Sequence, residues 1–172
     1  GIDSGFTSVM FDGSKLSLKE NIKITSKIAK ITKSYQVSLE GEVGLVGYHN
    51  GINSEGTTLF EAKKFSNESG VDAMAISVGN THLQTSKIAK IDYNKIKQIE
   101  EVSDIPLVLH GSSGISYNLR KKIARNTKVA KFNIGTELRM IAGESLKDNI
   151  KKNKKIFDRL QLTKPTVKNI TK

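Results

Sequence analysis

Two of the three histidines in this chain, His82 and His110, fall just after short apolar runs, Ala73–Val78 and Pro106–Leu109. Neutral imidazole is the commonest protein ligand for zinc, so two such groups on neighbouring strands could hold one ion. Carboxylates follow two other apolar runs. Asp12 comes after Phe6–Phe11, and Glu40 and Glu42 come after Tyr35–Leu39. Taken singly, each reads more simply as a polar group closing a sheet edge with a backbone bond. Their recurrence at the same relative place is what suggests a metal-binding or acid–base site. Both readings stay open at the level of residue type and spacing. His49 sits in a glycine-rich stretch and is read as solvated.

A second kind of chemistry lies beside the first. His110-Gly111-Ser112-Ser113-Gly114 offers successive backbone N–H groups and hydroxyls with no bulky side chain among them, which suits a phosphate. Gly135-Thr136-Glu137 opens a helical segment and could add donors. One such motif alone would be an ordinary Gly/Ser turn before a capped helix. The nucleotide fingerprints are absent: Gly41–Gly47 is not G-x-G-x-x-G, and there is no P-loop.

These residues need elements to hold them. Five apolar, β-rich runs are expected as strands: Phe6–Phe11, Tyr35–Leu39, Ala73–Val78, Pro106–Leu109 and Val129–Ile134. Several are apolar throughout, as in strands covered on both faces. Helical periodicity fills the gaps, with starts predicted at Ser17 (a capping box with Glu20), Thr58 (another with Glu61), Asp92, Ser116 and Thr136. Alternating β and α segments imply a parallel sheet with right-handed crossovers. In such folds ligands bind at the C-terminal strand ends, where the candidate residues collect. The connection from Val43 to Thr57 carries Gly44, Gly47, Gly51 and Gly56, the profile of a mobile functional loop. Residues 1–172 are expected as a single domain, with a Lys-rich helix and tail over 151–172.

Composition narrows the classes. The chain has 172 residues, and 37% hydrophobic with 26% charged residues is an ordinary globular balance, which excludes wholesale disorder. Zero cysteines exclude disulfide scaffolds, thiolate metal sites and cysteine nucleophiles. No apolar run approaches the ~20 residues of a membrane span, so no membrane partner is expected and the cytoplasm is the expected location. The net charge of +11 and the runs at Lys121-Lys122 and Lys151–Lys155 raise nucleic-acid binding. Only 6% of residues are aromatic and no stacking platform interleaves the lysines, so a solvated helix face is preferred.

Five ordered segments carry a family resemblance: GFTSVMFDGS (Gly5–Ser14), VSLEGEVG (Val37–Gly44), VDAMAISVGNTH (Val71–His82), PLVLHGSSG (Pro106–Gly114) and KFNIGTEL (Lys131–Leu138). Together they resemble the C-terminal part of the class II, metal-dependent fructose-bisphosphate or tagatose-bisphosphate aldolases. The resemblance implies a TIM (β/α)8 barrel, of which about five βα units, equivalent to strands four to eight, lie in this chain. It implies a lyase of glycolysis or carbohydrate metabolism that cleaves a ketose 1,6-bisphosphate to dihydroxyacetone phosphate and an aldehyde. By the same resemblance His82 and His110 are zinc ligands, and Asp12 and Glu42 serve an alternate or second divalent metal position. A monovalent cation is also among the implied cofactors. Leu83, Gly111, Ser112, Ser113, Asn133, Ile134, Gly135 and Thr136 match the segments that hold dihydroxyacetone phosphate. The complete protein is expected as a dimer or tetramer.

Departures from the family pattern shape the rest of the expectation. The His-x-Asp-His-type motif that supplies the third zinc histidine and a catalytic Asp has no counterpart here. The family's acidic pair after Glu42 is replaced by Gly47-Tyr48-His49-Asn50-Gly51, which leaves Glu55 as the nearest catalytic candidate. Leu83 stands in place of a usual Gly, and Gly135 in place of a frequent Asp. The polypeptide by itself is therefore expected to have little or no activity, and a catalytically inactive sugar-phosphate-binding module is the alternative.

Overall fold

The computed structural model describes residues 1–45, 47, 48, 56–82 and 89–171, with the backbone alone at 47, 48, 81 and 82. They form two compact units, Gly1–Asn133 and Ile134–Lys172.

In the first unit, a 3-10 turn at Ile2–Ser4 leads into β1 (Ser8–Phe11), α1 (Leu18–Ser34), β2 (Ser38–Val43) and β3 (Gly47–Tyr48). Then follow α2 (Leu59–Glu68), β4 (Ala73–Ile76), β5 (Thr81–His82), α3 (Tyr93–Val102), β6 (Leu107–Leu109), α4 (Tyr117–Asn126) and β7 (Val129–Phe132). Five strands make one all-parallel sheet in the order β1-β2-β4-β6-β7. The short strands β3 and β5 pair separately, Gly47 with Thr81 and Tyr48 with His82. Strand order follows chain order without reversal, as in a barrel wall and unlike a doubly wound sheet, where the order reverses at a switch point.

The helices start where their capping residues dictate. Ser17, Thr58, Asp92 and Ser116 each accept a hydrogen bond from the backbone N–H three residues on. Thr58 and Glu61 form the full reciprocal box. Such caps satisfy N–H groups that have no partner inside the helix, each contributing about 1 kcal/mol. The helical faces carrying Ile22, Ala29, Ala62, Phe65, Ile96, Ile99 and Ile123 share one core with Leu39, Val43, Met74, Ile76, Leu107, Leu109 and Val129 of the sheet.

Register sorts each strand into two faces, because successive side chains alternate. Gly41 and Val43 lie level with Met74 and Ile76, and with Leu39 they face the helices. Ser38, Glu40 and Glu42 take the opposite face, level with Ala73 and Ala75. Gly41 is required by packing: a Cβ there would stand 2.8 Å from Phe65 Cζ and 2.9 Å from Val71 Cγ1. Gly-for-space on one face thus alternates with carboxylates on the other.

This pattern corrects the expected second strand. Tyr35 is the C-cap of α1, Gln36 has φ +55°, and the strand begins at Ser38, not at Tyr35. It runs on through Val43, so Glu40 and Glu42 lie inside it rather than beyond it. The apolar run stops at Leu39 because one face of this strand is polar, and hydrophobicity registers only the other.

In the second unit, α5 (Thr136–Lys152) and α6 (Arg159–Ile170) form a helical hairpin. Asn149 Nδ2 donates to the carbonyls of Gln161 and Leu162, and Asn169 Nδ2 donates to Ser145 Oγ. Thr136 is not the cap expected of it. Gly135 occupies the N-cap position without a side-chain bond, and the Thr136 hydroxyl accepts instead from Arg139.

Candidate active site

The inner face of the sheet brings three of its charged groups to one place. Glu40 and Glu42 project from β2, and His110 stands at the end of β6, two strands away. Ala73 and Ala75 of the intervening β4 are small, which leaves room for the longer side chains to meet across it. His110 Nε2 lies 2.7 Å from Glu40 Oε1, and His110 Nδ1 lies 2.9 Å from Glu42 Oε2. All three side chains are at most 8% exposed, so each carboxylate must be compensated, and the imidazole contributes to both.

Burial alone would lower the His110 pKa, but hydrogen bonds to Glu40 and Glu42 outweigh it and push the ring up to about 9. Burial would raise Glu40, yet its bonds to His110 and Lys131 hold it below the ordinary carboxylate value. Lys131 Nζ sits 2.7 Å from Glu40 Oε2. The His110 backbone is fixed as well, because its carbonyl accepts from Asn80 Nδ2 at 2.8 Å. Asn80 also accepts from the Val78 N–H, which closes the turn after β4.

The remaining expected ligands are placed differently. Asp12 is exposed at the end of β1, and its Oδ1 accepts from the Ser14 N–H and hydroxyl. His82 contributes the backbone of β5, and its side chain lies outside the described residues, as do all of Leu83, His49 and Glu55. Most of the glycine-rich connection after Val43 is likewise outside them. Among the described residues no three His, Cys, Asp or Glu side chains converge on one metal position. Even so, the donor set suits a divalent metal. One ring nitrogen of His110 is fixed by a carboxylate and the other faces a second carboxylate, the pairing that orients histidine ligands.

The phosphate-type segment follows directly. Ser112 is fully buried and Ser113 nearly so, with Gly111 at φ +57° turning the chain between them and His110. The Ser112 N–H is spent on the Asn133 carbonyl at 3.1 Å, and its hydroxyl donates to the Leu109 carbonyl. Asn133 in turn donates its N–H to the Leu109 carbonyl. The Ser112 N–H therefore ties β6 to the end of β7 and is unavailable to an anion while that bond stands. In the second unit, Gly135 and Thr136 open α5, with the acidic Glu137 in its first turn and Arg139 one turn on.

Sequence reasoning placed Glu40 at the strand end without a role and passed over Lys131 and Asn80. Lys131 was hidden by a bulge: β7 pairs Val129 with Leu107 but Lys131 with Val108, so one residue is extra and the side-chain alternation shifts. The only sequence signal was a lysine inside an otherwise apolar strand.

A consecutive-order parallel sheet with a buried carboxylate–imidazole cluster at its C-terminal edge defines a barrel-type α/β protein with its site where such proteins carry one. The class II fructose-bisphosphate aldolase family model matches residues 1–172, and the chain belongs to that family. It is 40% identical over 155 residues to a fructose-bisphosphate aldolase of Ureaplasma parvum, covering 88% of this chain and 53% of that protein. It is 38% identical over 141 residues to a 6-phospho-5-dehydro-2-deoxy-D-gluconate aldolase of Shouchella clausii, covering 79% of this chain and 47% of that protein. Among solved structures, the YdjI aldolase of Escherichia coli superposes with a TM-score of 0.74 at 27% identity, covering 98% of this chain and 57% of the other. The chain thus spans about half the length of the curated relatives it matches. Its five-stranded sheet corresponds to part of a barrel. No described helix is long and apolar enough to cross a membrane.

Proposed function

We propose that this chain supplies metal ligands and phosphate donors to a zinc-dependent aldolase that reversibly cleaves a ketose 1,6-bisphosphate, of fructose or tagatose type, to dihydroxyacetone phosphate and an aldehyde. The observation that carries the reading is the Glu40–His110–Glu42 cluster at the strand ends of a chain from this family. His110 and Glu42, together with His82 of β5, are the residues that would hold the metal. A bound divalent ion supplies a Lewis acid that polarises a ketone. The remaining work falls to the chain. Glu40 orients the imidazole, and Asn80 fixes its backbone. Gly111, Ser113 and Asn133 are the residues this reading assigns to the phosphorylated end of the substrate. Asp12 is available to an alternate metal position only after its carboxylate leaves Ser14.

The relatives carry two substrate names, and both specify a phosphate. The assay is therefore release of dihydroxyacetone phosphate by the intact protein from fructose 1,6-bisphosphate, tagatose 1,6-bisphosphate and 6-phospho-5-dehydro-2-deoxy-D-gluconate. At least one should be cleaved, chelator should abolish turnover, and His110→Ala should lower kcat/KM by about 100–1,000-fold, the scale of a lost charge-stabilising group. Chelator-insensitive binding of these esters without cleavage of any of them would favour a non-catalytic sugar-phosphate-binding module.

A further inference from the structure

We infer that Asn21 and Thr57 are positioning residues whose buried side chains replace missing strand neighbours at the C-terminal end of β2, and so fix the place from which Glu42 reaches across the sheet. Their role rests on the proposed reading of the site and adds what holds its β2 side. Among the described residues, the pairing of β1 with β2 ends at Phe11 opposite Gly41, and that of β2 with β4 ends at Val43 opposite Ile76. The last carbonyls of β2 still need donors, because a buried backbone acceptor without one is costly. Side chains supply them. Asn21, near the start of α1, donates from Nδ2 to the Glu42 carbonyl at 2.8 Å. Thr57, just ahead of α2, donates its hydroxyl to the Val43 carbonyl at 2.7 Å. The same hydroxyl accepts from the Ser77 N–H at 2.8 Å, and the Thr57 N–H donates to the Ser77 carbonyl at 2.8 Å. Thr57 thus joins β2 to the residue that follows β4, as an inserted length of strand would.

Both side chains are buried, and each has a glycine that makes room for it. A Cβ on Gly13 would stand 2.1 Å from Asn21 Oδ1. A Cβ on Gly44, whose φ is +78°, would stand 2.5 Å from Thr57 Oγ1. Gly13 follows Asp12 and Gly44 follows Val43, so each polar peg also seats the turn that leaves its strand. Asn21 Oδ1 accepts from Thr25 Oγ1 at 3.0 Å, which orients the amide with Nδ2 toward β2. Two successive peptide planes are held in this way. They fix the direction of the Glu42 Cα–Cβ bond, and with it the carboxylate that meets His110 Nδ1 at 2.9 Å. A misplacement of about 1 Å caused by a substitution away from the chemistry can cost about 100-fold in rate.

The test uses the intact protein and the three phosphate esters named above. Thr57→Val removes the hydroxyl with little change of shape, Thr57→Ser keeps it, and Asn21→Asp removes the amide donor at the same size. Thr32→Val is the control, because Thr32 is buried on the same α1 and its hydroxyl donates to the Ala29 carbonyl of its own helix. Denaturant midpoints measure the stability that each variant loses. Thr57→Val and Asn21→Asp should lower kcat by about 100-fold with KM little changed. Thr57→Ser should restore most of that loss, and Thr32→Val should lose stability but keep the wild-type kcat. The carbon-13 signal of the Glu42 carboxylate should shift in Thr57→Val and Asn21→Asp and stay in place in Thr32→Val. Wild-type kcat in Thr57→Val or in Asn21→Asp, or a loss in Thr32→Val equal to theirs, overturns the inference and leaves the aldolase reading intact. A wild type that cleaves none of the esters overturns that reading, and the carboxylate signal then decides. If the signal does not move in Thr57→Val and Asn21→Asp, the positioning role falls as well. If Thr57→Val fails to fold, Asn21→Asp carries the comparison by itself.

Discussion

Glu40 and Glu100 both sit below the ordinary carboxylate range, but they serve different ends. Glu100 closes a junction beneath the sheet, away from the site. Burial would raise its pKa, yet hydrogen bonds from the Lys97 ammonium and the Lys128 N–H outweigh this and hold it down. The Lys128 ammonium adds bonds to the Glu100 and Ser103 carbonyls at 3.0 and 2.8 Å, tying α3 to the residue that precedes β7. A carboxylate whose folded pKa is depressed contributes stability above its unfolded pKa, about 4.3, and loses that contribution as pH falls through the folded value. Glu100→Gln should therefore be less stable than the wild type at pH 7, with the gap closing toward pH 3. Denaturant midpoints at the two pH values measure this. A gap that is unchanged at pH 3 would mean that packing, not ionisation, makes Glu100 useful.

At the scale of the element, β2 is the strand that makes the site possible. It needs bulk-free positions on one face and acids on the other, and the Leu39-Glu40-Gly41-Glu42-Val43 alternation meets both needs. Gly41→Ala tests the first. Its Cβ would press on Phe65 and Val71, both buried, so the strand or α2 must shift. Overpacking of this kind costs about 1–3 kcal/mol. Denaturant unfolding should show that loss, and His110 resonances should move as β2 is displaced. The helix starts were readable in advance, because a capping side chain and the N–H that donates to it lie three residues apart. The β2 boundaries were not, since the decisive information lay in the pairing to β1 and β4 on either side.

For the whole molecule, the sheet grades from centre to edge. Among the described residues β1 pairs only with β2 and β7 only with β6, whereas β2, β4 and β6 are paired on both sides. Met74, Ala75, Ile76, Leu107 and Leu109 are fully buried, while β1 keeps Ser8 and Met10 exposed. Backbone amides open more readily where buried contacts are fewer. Hydrogen exchange should be slowest in β4 and β6, faster in β1, and fast in α6, which has no buried residue and carries Pro165 within it. Protection of β1 equal to that of β4 would show that its open side is covered in solution.

Features that depend on neighbours a few residues away were legible in the order of residues. It set the βα order of the main sheet and four of the five predicted helix starts, and it nominated His82, His110, Asp12 and Glu42 as candidates. It could not determine which of those groups meet. Glu40 is separated from His110 by 70 positions and from Lys131 by 91. Their meeting depends on strand register, on the small Ala73 and Ala75 between them, and on one extra residue in β7. A one-residue change of parity moves a side chain to the opposite face of a sheet. For that reason residue types and spacing could nominate the histidine, but the folded sheet was needed to show that Glu40 and Glu42 both meet it and that Lys131 meets Glu40.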